Sequence, residues 1–293
     1  MRLIVGALLV LFTYFLLTLF PKKLNMLRFI CFGSGSSGNC YYLNADGYGL
    51  LIDLGIGLRS LKKYIRNYGL SFGEINAIFV THDHTDHVKS VGAFSGEFNI
   101  PVYALQSVHE GMQRNYFMSK KIIPDNKRIL NPDTTILLEK FKITPFNVPH
   151  DSSANCGYFI EVDGITFCLV TDMGHVTDDI RLYIEKSRYV VVEANYDAMM
   201  LKNGPYPAFL KRRIMGREGH MDNLDTAELL STSLSAETRH VWLCHLSEEN
   251  NHPELARKTV ETALFDAGKW IPGGFLKIDV LKRKVPSLLY ELD

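Results

Sequence analysis

Apolar runs that stop abruptly at a histidine or an aspartate recur along this chain. Ile75 to Val80 reads as a buried strand, and Thr81 leads from it into His82-Asp83-His84-Thr85-Asp86-His87. Phe141 to Val148 runs out towards His150, Ile165 to Thr171 ends at Asp172, Val241 to Cys244 at His245, and Leu50-Leu51-Ile52 at Asp53. A sheet whose strands end this way delivers scattered polar side chains to one rim.

The remaining pattern surrounds those strands with helices. Leu27 to Phe32 and Cys40 to Leu43 are strand-like, and Tyr48 to Leu54 pairs back through Asp46-Gly47, a hairpin signal. Tyr158 to Ile165 makes a second tight hairpin through Asp163-Gly164. Leu58, Leu61 and Ile65 fall at helical spacing and stop at Gly69. A short helix through Val88 and Val91 should follow Asp86, then a strand from Pro101 to Leu105 and a helix from Gln106 to Tyr116. Asp133 to Val148 reads as strands and Tyr189 to Val192 as a buried strand. Asn195 to Ser235 is polar and basic. It suggests two helices, Ala198 to Met215 (interrupted by Gly204-Pro205) and Leu224 to Thr232. Leu255, Thr259, Val260, Ala263, Leu264 and Ala267 line one helix face, with Pro253 in its first turn and Gly268 after its end. Phe275 to Val280 closes the chain as a strand. Strands sorted with amphipathic helices imply an α/β fold with sheets covered by helices.

Composition narrows this picture in two places. The 293 residues carry no net charge, so no global field draws the chain to nucleic acid or an anionic membrane. Five cysteines without a C-x-x-C pair read as core residues in a reducing compartment. Residues 1–25 form an apolar extension. Leu3 to Phe20 is uncharged, and at about 1.5 Å per residue it would just cross a hydrocarbon layer of roughly 30 Å. Lys22 and Lys23 would then keep the rest cytoplasmic. Met26 is itself a plausible start, because Met-Leu-Arg-Phe-Ile opens the first strand, and this reading is preferred to an anchor. No small-residue cleavage pattern supports export. The expected folded domain is 26–293, placed in the cytoplasm or, if the extension spans, anchored to a membrane with the catalytic part facing the cytoplasm.

Four potential ligands within residues 82–87 are too many for one ion, and imidazole with carboxylate suits zinc, manganese or iron. Two metals are the natural reading. His-x-His-x-Asp-His, followed by the separate His150, Asp172 and His245, resembles the metallo-β-lactamase superfamily. The resemblance implies an αββα sandwich, two mixed sheets flanked by helices, around two divalent metal ions. By the same resemblance His82, His84 and His150 would hold the first ion, Asp86, His87 and His245 the second, and Asp172 would bridge them. Asp53 would brace the site without ligating.

Substrate class rests on finer features. Aspartate at the bridging position resembles the phosphodiesterase and glyoxalase II branches, where many β-lactamases proper use cysteine in the second-metal set. His84 stands where the flavodiiron branch has glutamate, and no flavin domain follows. Gly33-Ser34-Gly35-Ser36-Ser37-Gly38 lacks the ending of a P-loop and is expected to be a flexible turn near the rim. Lys211, Arg212, Arg213 and Arg217 could hold phosphates. His220 lies ahead of a helix start near Asn223, where an anion is favoured, and could contact the scissile phosphate or protonate the leaving oxygen. The glycine-serine element with Asn39-Cys40, Thr81 to His87, Gly219-His220 and Cys244 to Asn251 together resemble the YycJ (WalJ, VicX) group. That group implies 5′-to-3′ exonuclease activity on DNA. The stretch from Asp172 to His245 is too short for the β-CASP cap of related nucleases.

The expectation is a dinuclear phosphodiesterase degrading DNA with a metal-bridging hydroxide. Asp86 and His220 are its catalytic candidates, and Lys211, Arg212, Arg213, Arg217 and Asn223 its substrate-binding ones. No protein partner is indicated. A glyoxalase II- or lactonase-type hydrolase of small molecules is the alternative. A non-catalytic regulatory module is disfavoured because every ligand position is filled.

Overall fold

The computed structural model describes residues 26–293. The apolar extension, and with it the expectation of an anchor, lies outside the described residues. Among the described residues no helix is long and apolar enough to cross a membrane.

Two seven-stranded sheets carry the fold. The first contains β1 (Leu27–Gly33), β2 (Cys40–Ala45), β3 (Tyr48–Ile52), β4 (Ile75–Phe79), β5 (Val102–Leu105), β6 (Lys127–Leu130) and, beside β1, β14 (Tyr290–Leu292). The second contains β7 (Ile136–Leu138), β8 (Phe141–Asn147), β9 (Cys156–Val162), β10 (Ile165–Val170), β11 (Tyr189–Glu193), β12 (His240–Cys244) and β13 (Lys277–Val280). Each is antiparallel on one side and parallel on the other, the change coming at β3 in the first sheet and at β10 in the second. Both hairpin signals are realised. Asp46-Gly47 joins β2 to β3 with φ of 50° and 85°, and Asp163-Gly164 joins β9 to β10 with φ of 49° and 86°. Two successive positive φ angles match the right-handed twist of the strands they connect.

An aromatic layer fills the space between the sheets. The Phe29 ring lies 5.2 Å from Phe167 and 4.8 Å from Trp242, and Phe79 meets Tyr158 edge-on at 5.4 Å. Helices cover the outer faces. They are α1 (Leu58–Asn67), α2 (Thr85–Val88), α3 (Val91–Phe98), α4 (Gln106–Arg114), α5 (Asp178–Glu185), α6 (Ala198–Asn203), α7 (Ala208–Ile214), α8 (Asn223–Ser233) and α9 (Pro253–Asp266). Ile180 and Ile184 of α5 and Ala256, Val260 and Leu264 of α9 are buried in one cluster with Val190, Val192, Val241 and Leu243 of the second sheet. The result is the helix–sheet–sheet–helix sandwich, in which β3, β4, β8, β10, β11 and β12 all end at one rim.

Three elements escape the pattern reading: β6, α5 and β14. Another element is shorter than expected. Helix α4 stops at Arg114, which leaves Tyr116 in the following loop.

Candidate metal centre

Local backbone geometry aims the rim residues inward. Asp53, Asp172 and His245 have φ of 59°, 54° and 55°, just beyond β3, β10 and β12. A non-glycine residue in this left-handed region costs about 1–3 kcal/mol and is kept where the surroundings over-determine it. Here the chain leaves each strand by an abrupt turn, and all three side chains are buried at the rim.

His82, His84 and His150 each bring a ring nitrogen within 4.8 Å of the others, and one donor atom each from Asp86, His87 and His245 clusters just as tightly. Asp172 stands between these groups. Its Oδ1 lies 3.9 Å from His150 Nε2 and 3.4 Å from His245 Nε2, and its Oδ2 lies 3.3 Å from His87 Nε2. Asp86 Oδ2 is 3.4 Å from His245 Nε2 and 3.6 Å from His87 Nε2.

On His82, His84, His87 and His150 the outward nitrogen is tied to a named acceptor, which turns the other nitrogen inward. His87 Nδ1 donates to Asp53 Oδ2 at 2.8 Å, His150 Nδ1 to the Gly219 carbonyl at 3.0 Å, and His84 Nε2 to the Asp151 carbonyl at 3.2 Å. His82 Nδ1 donates to the Thr81 hydroxyl at 3.0 Å, and that hydroxyl donates on to Asp53. Asp53 therefore serves two histidines as a brace without facing the cluster. Such partners select the tautomer and orientation of a ligating imidazole. His82 Nε2 is buried and makes no hydrogen bond. A buried imidazole nitrogen left without a hydrogen bond, among imidazoles and carboxylates, fits a divalent metal.

Charge in the cluster favours a cation as well. Burial and the neighbouring His87 hold His82 well below its ordinary value. Burial opposes protonation of His87 too, yet Asp172, Asp53 and Asp86 raise it well above the usual imidazole range. His245 is likewise pushed up to about 10, burial being outweighed by Asp172, Asp86 and Glu193. Metal uptake must displace the protons these rings attract. Titration calorimetry of zinc into the protein should therefore give heats that track the ionisation enthalpy of the buffer, with apparent affinity falling as pH drops. Buffer-independent heats at neutral pH would contradict this.

Several participants lie beyond the expected set. Glu193, at the end of β11, is fully buried; it accepts from His220 Nδ1 at 2.7 Å and from the Met173 and Met221 amides at 2.9 and 3.3 Å, and lies 3.4 Å from His245 Nδ1. Its run Tyr189-Val190-Val191-Val192-Glu193 has the same polar strand end that marks the other positions. Asn39 puts its amide 2.8 Å from His87 Nε2 and 3.3 Å from Asp86 Oδ2. Asp151 Oδ1 lies 3.5 Å from His150 Nε2. His220, one of the expected catalytic candidates, is in the cluster, its ring 5.0 Å from His150 and stacked on His245 at 5.4 Å.

The expected substrate-binding residues separate. Arg213 forks onto Asp151, with Nη2 2.9 Å from Oδ1 and Nε on Oδ2. The Lys211 ammonium donates to the carbonyls of Lys202 and Gly204 at 2.8 and 2.7 Å, at the end of α6, so it is turned away from an incoming anion. Asn223 is buried, its amide exchanging hydrogen bonds with Asn251 at 3.0 and 2.9 Å, and is closed to substrate. Arg212 and Arg217 are exposed and make no ion pair among the described residues. The glycine-serine turn is packed, not loose. Ser34 Oγ accepts from the His245 amide at 2.8 Å, and Gly38, at φ 140°, passes so close to Gly55 that a Cβ would lie 2.8 Å from its carbonyl carbon.

The chain is similar to several known proteins. The β-lactamase superfamily domain matches residues 49–246. The chain is 32% identical over 242 residues to exodeoxyribonuclease YycJ of Bacillus anthracis, spanning 83% of this chain and 90% of that protein. It is 32% identical over 240 residues to exodeoxyribonuclease WalJ of Streptococcus pneumoniae, spanning 82% and 89%. In fold it is similar to the metallo-β-lactamase fold protein YhfI of Bacillus subtilis, with a TM-score of 0.67 at 17% identity over 92% of this chain and 100% of that one.

Proposed function

This chain belongs to the metallo-β-lactamase superfamily, among its YycJ/WalJ-like members, and on that footing we propose that it is a dinuclear metal-dependent phosphodiesterase acting as a 5′-to-3′ DNA exonuclease. One observation carries the catalytic part: the Asp172 carboxylate reaches both histidine groups, Oδ1 towards His150 and His245 and Oδ2 towards His87. His82, His84, His150 and Asp172 would hold one divalent cation, and Asp86, His87, His245 and Asp172 the other. Zinc or manganese suits these donors, and iron is compatible. Such cations lower the pKa of a water to near neutrality and neutralise charge building on a phosphoryl oxygen.

The protein's own groups do the rest. Asp53, Thr81 and the carbonyls of Asp151 and Gly219 hold the imidazoles in register. His220, fixed by Glu193, is the candidate proton donor to the leaving oxygen. Nucleic acid as substrate is supported by the two relatives, both exodeoxyribonucleases, that align over most of their length. A DNA substrate, with five buried unpaired cysteines, accords with the reducing cytoplasm.

Phosphate contacts fall to Arg212 and Arg217. Replacing either by alanine is expected to weaken DNA binding evenly across sequences and to reduce the salt slope by about 1. Lys211→Ala should leave both unchanged, because its ammonium is held by carbonyls. Fluorescence anisotropy across a salt series checks this, and a larger effect from Lys211 than from Arg212 and Arg217 would contradict it.

The deciding experiment incubates the full chain with Mn²⁺ or Zn²⁺ and 5′-phosphorylated DNA, beside a thioester and a lactone. Stepwise release of nucleotides from the 5′ end is expected. Turnover confined to the thioester or lactone would overturn the proposal.

A further inference from the structure

From Gly111 to Pro124 the chain has no acidic residue, and Arg114, Lys120 and Lys121 bracket two adjacent aromatics, Tyr116 and Phe117. Both rings are on the outside: Tyr116 is 90% exposed and Phe117 67%. They touch each other edge-to-face at 5.7 Å and 81°. A large aromatic pair left in water forgoes burial worth a few kcal/mol, so a held, exposed pair marks a contact surface.

The loop is fixed to the metal-bearing segment. Asn115 Nδ2 donates to the Asp83 carbonyl at 2.8 Å, between His82 and His84, and Asn115 Oδ1 accepts from the Phe117 amide at 3.0 Å and from the Thr85 hydroxyl at 3.5 Å. Met118 is buried, and the Lys121 ammonium ties back to the Met112 and Asn115 carbonyls. The Lys120 carbonyl passes so close to Gly92 that a Cβ there would lie 2.0 Å away. Aromatic rings are thus held one residue from a side chain that grips the histidine loop.

We infer that Tyr116 and Phe117 form a stacking platform for the bases of a single-stranded DNA end, seating it beside the metal centre. The inference rests on the nuclease reading above and deepens it by naming how the strand is captured without a cap domain. Every base offers a π-face, so stacking holds a strand of any sequence, and the exposed Arg114 and Lys120 suit the phosphates on either side. A protein partner is less well matched to rings flanked only by cations and set against a phosphodiester site.

The test measures affinity for a fluorescein-labelled, 5′-phosphorylated single strand whose phosphorothioate linkages resist cleavage, and for the same strand made abasic in its terminal nucleotides. The double variant Tyr116→Ala/Phe117→Ala should bind the intact strand about ten- to a hundredfold more weakly. On the abasic strand wild type and variant should bind alike, and Tyr116→Trp should retain affinity. Thermal midpoint and bound metal should match wild type, since the rings are exposed. Equal losses on intact and abasic strands, or no loss on either, would overturn the platform. So would a dimeric wild type that becomes monomeric in the double variant with oligonucleotide affinity unchanged. If wild type degrades DNA and the variant binds as tightly, the platform fails while the nuclease reading stands. A wild type that neither binds nor degrades DNA removes both.

Discussion

Asp172→Asn is expected to abolish turnover and to strip metal from the centre, with activity falling about 10³-fold or more, beyond the roughly 10–100-fold typical for losing a group that merely orients a ligand. The reason is geometric. Among the described residues Asp172 is the carboxylate whose two oxygens reach both histidine groups, at 3.4 and 3.9 Å from one oxygen and 3.3 Å from the other. Asparagine is the informative substitution because, like aspartate, it tolerates the left-handed backbone that φ of 54° imposes. Alanine there would add backbone strain to the chemical loss. Thr171 Oγ1 donates to Asp172 Oδ2 at 2.8 Å and Asn155 donates to its carbonyl at 2.8 Å, so the variant's position is held. Metal analysis and kcat for DNA degradation, measured on the same preparation, check this. Wild-type metal content with undiminished kcat would contradict it.

The second large effect concerns His220 and Glu193. His220→Asn should lower kcat by about 10²–10⁴, the usual contribution of a positioned proton donor. Glu193 would act through it, as a positioning residue. Burial disfavours the imidazolium of His220, but the charge and hydrogen bond of Glu193 outweigh that and raise it above its ordinary value. A proton donor works below its pKa, so the rate falls as pH rises through it. Glu193→Gln keeps acceptor oxygen for the Met173 and Met221 amides but removes the charge. The alkaline limb of the kcat profile should therefore move to lower pH. A purely structural role would lower the plateau and leave the limb in place.

Much of this centre is legible in the chain because its logic is local. An apolar run that stops at or just before an Asp or His needs no tertiary knowledge to be noticed, and Asp53, His82, His150, Asp172 and His245 all stand at such ends. Glu193 obeys the same rule at the end of β11, but a single glutamate after a strand carries no ligand spacing to single it out. What depends on distant partners is invisible. Strand β14 is three residues long and pairs Leu292 with Leu27 across almost the whole chain, which no periodicity can announce. The reciprocal amide pair of Asn223 and Asn251 is likewise set by packing, as is the turn of Lys211 onto the carbonyls of α6. Charge patterning shows that a residue is basic but not where its ammonium goes. The glycine-serine turn departs from expectation for a related reason: glycine permits flexibility, yet here it permits close approach.

A working centre requires strand ends from both sheets to bring their donors to two cations. Equilibrium dialysis of the full chain against zinc or manganese, followed by elemental analysis, tests that directly. Two ions per chain are expected, fewer than two in Asp172→Asn. A folded wild-type protein that takes up none would contradict it.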